Sequence, residues 1–243
     1  MKPLSVLLLT GANNHDWRRS APFFRDLLQA SGRFVVTLTE DPSAALTDPA
    51  AVARHELFFI DYNGPDWSNV ARTNFLAAVR RGTGVAAVHA TNNSFPHWEE
   101  FGRLLGLMWR QESGHGQFHE FEVRIDDGDH PITRGVAGFR TADELYHGLV
   151  RPPGTELRVL ASAWSDAGRG GTGRWEPVLA VNQYGAGRVF YHALGHLWPG
   201  DPAAHAGNSL VALLNPAFRD TLLRGCEWAA SGSVTPPAAS AKG

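Results

Sequence analysis

The first half of the chain alternates short apolar runs with segments of helical periodicity. The helical segments run from Ser20, a predicted N-cap, to Ala30 and from Val70 to Arg81. This alternation is typical of a parallel sheet covered by helices on both faces. It predicts a flavodoxin-like, three-layer α/β/α fold with a mostly parallel sheet. The apolar runs, each a predicted strand, are residues 5–9, 34–39, 57–61 and 85–88.

The second half has a different pattern, in which strands follow one another directly after a predicted helix at residues 98–107. Glycines at residues 184–187 mark a hairpin turn, so this half should add antiparallel strands to the sheet. A last helix is predicted from Pro216 to Ala230. We therefore expect a single domain over residues 1–231 and a disordered tail at 232–243. The predicted strands are residues 119–125, 145–150, 157–164, 178–183 and 188–192.

Composition narrows the range of partners. The chain has 22 Lys+Arg against 24 Asp+Glu and a net charge of -2, without the basic run that nucleic acid or an anionic membrane surface requires. The apolar run at residues 6–9 is far shorter than the about 20 residues of a transmembrane helix. The single cysteine, Cys226, excludes an intrachain disulfide. These features predict a cytoplasmic protein with a small-molecule ligand, for which a homodimer is the default assembly.

Polar side chains follow the first, third and fourth predicted strands. In open parallel sheets, ligands bind at the carboxyl ends of the strands. His89 is the most informative of these residues, because an apolar strand delivers it to a strand-to-loop corner where nucleophile-elbow enzymes place their reactive group. The asparagines suit turns equally well on structural grounds. The loops selected by this rule contain Asn13, Asn14, His15, Asp61, Tyr62, Asn63, His89, Thr91 and Asn92.

The second half offers further candidates for metal binding and catalysis. His115 and His119 are four residues apart, a spacing that places both on one side of either a helix or an extended chain and so suits a metal ion. Glu144 and Tyr146 alternate on one side of a predicted strand, and a carboxylate there would orient a histidine, ligate a metal or simply face solvent. Gly195 allows a tight turn just before His196.

These segments together resemble the ThuA-like family, named for a bacterial trehalose-utilisation protein, within the class I glutamine-amidotransferase-like superfamily. The resemblance covers most of residues 4 to 230. It implies an amidotransferase-type flavodoxin-like core and a link to carbohydrate metabolism, particularly disaccharides and their keto derivatives. The segments that carry it are residues 6–11 with Asn14 and His15, 84–89, 114–119 with 130–132, 143–146, and 185–191 with Gly195 and His196.

The chain departs from true amidotransferases at the nucleophile. Those enzymes need a reactive cysteine at the elbow, whereas this chain has His89 after its fourth strand. Cys226 falls on the apolar stripe of the last predicted helix, where it packs as a small hydrophobe. We therefore expect no glutaminase activity.

Two functions of different class remain open. In the first, the protein is an enzyme acting on a sugar or keto-sugar, as a hydrolase, lyase or isomerase. His89, Glu144 and His196 are its candidate catalytic residues, as acid–base or metal-ligating groups. A divalent metal such as zinc would be held by His115 and His119, or no cofactor would be needed. In the second, the protein is a non-catalytic sugar-binding or accessory module. The residues expected to contact the ligand are Asn14, His15, Asn63, Asn92, Tyr146 and Trp198.

Overall fold

A nine-stranded sheet organises residues 2–235, the part of the chain that the computed structural model describes. A separate two-stranded sheet is formed by β5 and β8. In chain order the strands are β1 (Leu4–Leu9), β2 (Phe34–Thr39), β3 (Leu57–Ile60), β4 (Gly84–Val88), β5 (Gly114–His115), β6 (His119–Ile125), β7 (Phe139–Asp143), β8 (Tyr146–His147), β9 (Arg158–Ser165), β10 (Arg174–Tyr184) and β11 (Gly187–His192).

The large sheet has the order β2-β1-β3-β4-β11-β10-β9-β6-β7. The pairs from β2 through β11 are parallel, and the remaining pairs are antiparallel. This confirms the predicted fold: a parallel half built from βα units, extended by antiparallel strands from the second half of the chain. Because β11 lies beside β4, the loops that leave these two strands open at the same edge of the sheet.

Helices cover both faces of this sheet. Their apolar sides pack on alternate residues of each strand, as the two-residue repeat of a strand requires. Leu8 and Phe59 face a core that includes Phe24 and Phe218, while Phe58 faces the opposite core. The helices are α1 (Trp17–Ala30), α2 (Pro42–Ala45), α3 (Pro49–Val52), α4 (Asn69–Arg81), α5 (Glu99–Leu105), α6 (Val211–Leu214) and α7 (Pro216–Ser231).

Two local predictions need correction, and one strand was missed. Helix α1 begins at Trp17, so Ser20 lies inside it, where its hydroxyl donates to Asp61 at 2.5 Å rather than capping the helix. The strand predicted at residues 145–150 shrinks to β8, since the following residues pair only through an isolated bridge between Met108 and Val150. Strand β7 was not predicted, because its sequence carries polar residues and lacks an apolar alternation.

The end of the chain is only partly described. Gly232 ends α7 in the left-handed conformation (φ 82°), and Thr235 hydrogen-bonds to Glu227. The disordered tail predicted for 232–243 therefore includes four residues that follow the helix, and residues 236–243 lie outside the described part. No helix among residues 2–235 is long and apolar enough to cross a membrane.

Candidate functional site

Three histidines from separate loops meet at the carboxyl edge of the sheet. His15 follows β1, His89 follows β4 and His196 follows β11, and all three side chains are buried. One nitrogen from each lies within 4.8 Å of the others. Among residues 2–235, this is the one group of three or more His, Cys, Asp or Glu side chains arranged closely enough to hold a metal ion. We call it the histidine cluster.

The backbone at the end of β4 fixes the orientation of His89. Its φ of 41° is in the left-handed region that residues other than glycine rarely adopt, as expected of a sharp strand-to-loop corner. Nδ1 donates to the carbonyl of Ala193 at 2.7 Å. Because a neutral imidazole has only one N–H, Nε2 is then the nitrogen that carries the lone pair. It faces the cluster.

His15 presents the same kind of nitrogen to His89. Its Nδ1 donates to Oδ1 of Asn14 at 3.2 Å, and that oxygen also accepts from Asn63 at 2.7 Å. The Nε2 atoms of His15 and His89 therefore carry lone pairs that face each other across 3.2 Å. Two ligands of a tetrahedral zinc at about 2.0–2.1 Å would be about 3.3–3.4 Å apart. The two nitrogens are thus spaced to share one cation.

His196 completes the cluster and is fully buried. Gly195 precedes it with φ 114°, which confirms the expected tight turn. Neither ring nitrogen of His196 has a hydrogen-bond partner in the described structure. A buried polar atom without a partner is costly, so such atoms indicate a missing ligand or water.

Burial keeps the cluster neutral. Burial and repulsion from His196 lower the pKa of His15 to about 3, and burial and repulsion from His89 lower the pKa of His196 to about 2. The pKa of His89 is also well below its ordinary value, chiefly because the ring is buried. At neutral pH all three imidazoles are therefore unprotonated, which is the form that ligates a metal.

Glu144 lies beside the cluster. Oε1 accepts from Nε1 of Trp198 at 3.2 Å, and Oε2 lies 3.2 Å from Nδ1 of His115 and 3.3 Å from Nδ1 of His196. Oε2 has no hydrogen bond of good geometry in the described structure, and burial raises the pKa of this carboxyl. A carboxylate with one free oxygen next to the neutral imidazole of His196 can accept a proton or support a ligand.

Tyr146 closes the opposite side. Its ring stacks on His89 with centroids 4.2 Å apart, and its hydroxyl donates to Nε2 of His89 at 2.9 Å. Burial raises the pKa of this phenol well above its ordinary value, so the hydroxyl keeps its proton and acts as a donor. Trp198 stacks on His15 at 4.4 Å, which holds that imidazole in place.

Two buried aspartates hold the loops that carry the histidines. Oδ2 of Asp143 accepts from the Gly195 N–H at 2.8 Å, and burial raises the pKa of this carboxyl to about 7. Asp61 accepts from Ser20 and from Asn13, at the start of the His15 loop. Sequence reasoning did not assign a role to Asp143, because that role depends on a distant loop reaching it.

A small cavity of about 80 Å³ reaches the histidine cluster at His15. A wider groove of about 540 Å³, which we call the outer groove, lies next to it and shares His115 and Glu144 as lining residues. The small cavity is lined by Asn14, His15, Ala90, Asn93, Trp109, His115, Glu144, Tyr146 and Trp198.

Some predicted site residues lie elsewhere. His115 belongs to the two-stranded sheet and His119 to the large sheet, where its Nδ1 donates to the carbonyl of Gln117. The two residues expected to ligate a metal thus lie in different sheets, and neither belongs to the histidine cluster. Asn63 contacts Asn14 rather than the cavity. Asn92 is fully buried behind it, with both amide atoms unpartnered in the described structure.

The fold and the site together define a class of protein: a three-layer α/β domain with an amidotransferase-like core, in which histidines occupy the strand-end pocket and the elbow has no cysteine. The sequence profile of the ThuA family, described as trehalose utilisation, matches residues 5–229. The chain belongs to the ThuA family, as the sequence resemblance suggested.

Solved structures agree with this assignment. A ThuA-like protein of Parabacteroides merdae is 32% identical, with a TM-score of 0.85 over 97% of this chain and 93% of that one. A ThuA-like protein of Bacteroides uniformis is 19% identical, with a TM-score of 0.70 over 94% and 93% of the two chains. PurLQS of Thermotoga maritima shares the fold at 14% identity, with a TM-score of 0.52 over 93% and 98%. Comparison with curated proteins finds no match.

Proposed function

We propose that this ThuA-family protein is an enzyme that acts on a sugar or keto-sugar derivative at the histidine cluster, with the assistance of a divalent metal ion. The observation that carries the proposal is the pair of facing lone pairs on His15 and His89, 3.2 Å apart, beside an unpartnered His196. Three neutral, buried imidazoles in this arrangement match the ligand set of catalytic zinc sites, which keep a further position open.

The residues present fit such an ion. The Nδ1 hydrogen bonds of His89 and His15 orient both rings, as the other nitrogen of a metal-ligating histidine usually does. A metal bound here would polarise a carbonyl or activate a water molecule. This set replaces the predicted ligands His115 and His119.

The protein groups around the cluster suit proton transfer. Glu144 has a free carboxylate oxygen within reach of His196 and borders the cavity, so it is the candidate base. Tyr146 offers a hydroxyl on the same cavity wall, where it can donate to a substrate oxygen. This pairing of an acceptor and a donor suits hydrolysis, elimination or isomerisation at a carbonyl-bearing sugar carbon.

The carbohydrate class is supported by the family, whose description is trehalose utilisation. The cavity agrees with it chemically, since its lining combines amide, imidazole, carboxylate and hydroxyl groups with the indoles of Trp109 and Trp198. Sugars are commonly bound by such polar groups together with aromatic faces. The Cys226 thiol is buried in α7, so we expect it to provide no glutaminase activity.

The test is turnover of keto-glycosides by zinc-loaded, untagged protein, followed by mass spectrometry against the parent glycosides. We expect Glu144→Gln and His196→Ala to lower the rate by at least about 100-fold, the usual scale for acid–base and metal groups. His97→Ala, at an exposed histidine, is the matched control. Equal rates in wild type and both variants would contradict the proposal, and binding without turnover would favour a sugar-binding module.

A further inference from the structure

The small cavity and the outer groove differ greatly in volume. The cavity above the histidine cluster has a volume of about 80 Å³, whereas pockets that enclose small-molecule ligands usually measure about 300–1,000 Å³. A whole sugar ring therefore does not fit inside it. The outer groove, at about 540 Å³, is within that range and meets the cavity at His115 and Glu144. The bulk of a ligand must lie in the groove, with only one edge reaching the histidines.

One wall of the outer groove is a turn whose backbone is held by hydrogen bonds. The turn at residues 166–173 joins β9 to β10, and the carbonyl of Arg169 accepts from the N–H of Gln117 at 2.8 Å. Gly116 allows this approach, since a Cβ there would be only 3.0 Å from the Arg169 carbonyl oxygen. The carboxylate of Asp166 accepts from Gly168 within the turn at 2.8 Å. The position of Arg169 on the wall is thus set by the backbone.

The two ends of the outer groove differ in charge: a carboxylate lies at the inner end, and hydrogen-bond donors lie at the outer end. At the inner end, Glu144 is the only carboxylate among the lining residues. Its Oε1 accepts from Trp198, and its Oε2 lies 3.2 Å from Nδ1 of His115. At the outer end, the exposed guanidinium of Arg169 has no ion-pair or hydrogen-bond partner within residues 2–235. His205 accepts from Gly207 through Nδ1, which leaves its Nε2–H as a donor. The outer end of the groove therefore offers positive charge, and no carboxylate among the described residues lines the groove there.

We propose that the outer groove is the binding site for the distal part of the substrate, and that Arg169 makes it selective for a distal group with a negative charge, such as a carboxylate. This inference rests on the proposed function for the position of the reacting edge. Arginine binds carboxylates through two parallel hydrogen bonds, which adds geometric selectivity to the charge. The substrate class would be an acidic glycoside, whose neutral sugar end points to the histidine cluster.

The probes for this proposal are maltobionate and maltitol, which differ in a terminal carboxylate against a hydroxymethyl group. Their affinities for the zinc-loaded protein are measured by isothermal titration calorimetry. We expect maltobionate to bind about 10-fold more tightly than maltitol, the scale of one charge-assisted contact. Arg169→Gln should abolish this preference, and Arg169→Lys should retain part of it. Arg174→Gln, at an exposed arginine outside the lining, should leave it unchanged.

Equal affinities of wild type for the two probes, a preference that survives Arg169→Gln, or no binding of either probe would each overturn the proposal. Folding is not expected to confound the result, because the Arg169 side chain makes no hydrogen bond to the described residues, and thermal unfolding of each variant checks this. The measurement is of binding alone. A protein that prefers maltobionate but turns over no keto-glycoside would retain this inference and lose the proposed function.

Discussion

At the residue scale, the lone pair on Nε2 of His89 has two competing partners. Nε2 of His89 accepts a hydrogen bond from Tyr146 and is also a proposed metal ligand. A nitrogen lone pair cannot do both. A bound ion would therefore release the Tyr146 hydroxyl toward the cavity, where it becomes available to a substrate oxygen.

This competition predicts opposite effects of Tyr146→Phe on metal binding and on turnover. Removing the hydroxyl frees Nε2 of His89, and one hydrogen bond of about 1 kcal/mol corresponds to about a 5-fold gain in zinc affinity. Turnover should fall because a donor is lost. Affinity is measured by competition with a chromophoric chelator, with Tyr184→Phe, at a half-exposed tyrosine bonded to Glu100, as the control. Weaker zinc binding by Tyr146→Phe would contradict the assignment.

At the scale of elements, the parallel half is predictable from sequence because its strands are short apolar runs, and β3 and β4 are buried on both faces. The strand at residues 34–39 is predicted with its observed bounds, and α4 begins one residue before the predicted start. Polar β7 and the two-residue strands β5 and β8 carry no such pattern. They depend on partners that are distant in sequence.

The candidate site likewise combines residues that the sequence predicts with contacts that it does not. The strand-end rule selects His15 and His89, because the carboxyl edge of a parallel sheet is defined by the strands themselves. Placing His196 against them requires the β11 loop, which follows from Gly195 and Asp143 together. The four-residue spacing of His115 and His119 does not show that the chain passes from one sheet to another between them.

Packing of α7 on β11 gives a prediction about stability. A Cβ at Gly225 would come within 2.1 Å of the Phe190 ring, whereas one at Gly102, in α5, would meet its nearest neighbour at 3.5 Å. Gly225→Ala should therefore lower the free energy of unfolding by about 1–3 kcal/mol through overpacking. Gly102→Ala should be neutral or raise it by up to about 1 kcal/mol through helix propensity. Urea denaturation measures both. A stabilised Gly225→Ala variant would show that the helix and the strand are not in this contact.

At the scale of the whole molecule, buried titratable groups set the pH dependence of stability. Histidines with lowered pKa values are unprotonated in the fold but take up protons on unfolding, so they favour unfolding as the pH falls below about 6.5. Asp61 and Asp143 act in the opposite direction, because burial raises their pKa values to about 6 and about 7. Their contribution is lost as the pH rises through those values.

His192 isolates the histidine effect, since it lies in β11 and its Nε2 bonds to Thr221 of α7. Burial lowers its pKa to about 3, so the unfolded chain binds one more proton than the fold between about pH 3 and 6.5. His192→Gln should reduce the rise of unfolding free energy with pH in that window by about 1.4 kcal/mol per pH unit. Urea denaturation in metal-free buffer measures the slope, with His97→Gln as the exposed control. An unchanged slope in His192→Gln would refute this assignment.

The most direct test of the central claim is the metal content of untagged protein by elemental analysis, repeated on His89→Ala, His196→Ala and the control His97→Ala. The histidine cluster predicts about one divalent ion per chain in wild type and in the control, the stoichiometry of a single mononuclear site, and loss of the ion in both cluster variants. Wild-type protein without stoichiometric metal after incubation with zinc, or cluster variants that retain it, would contradict the claim.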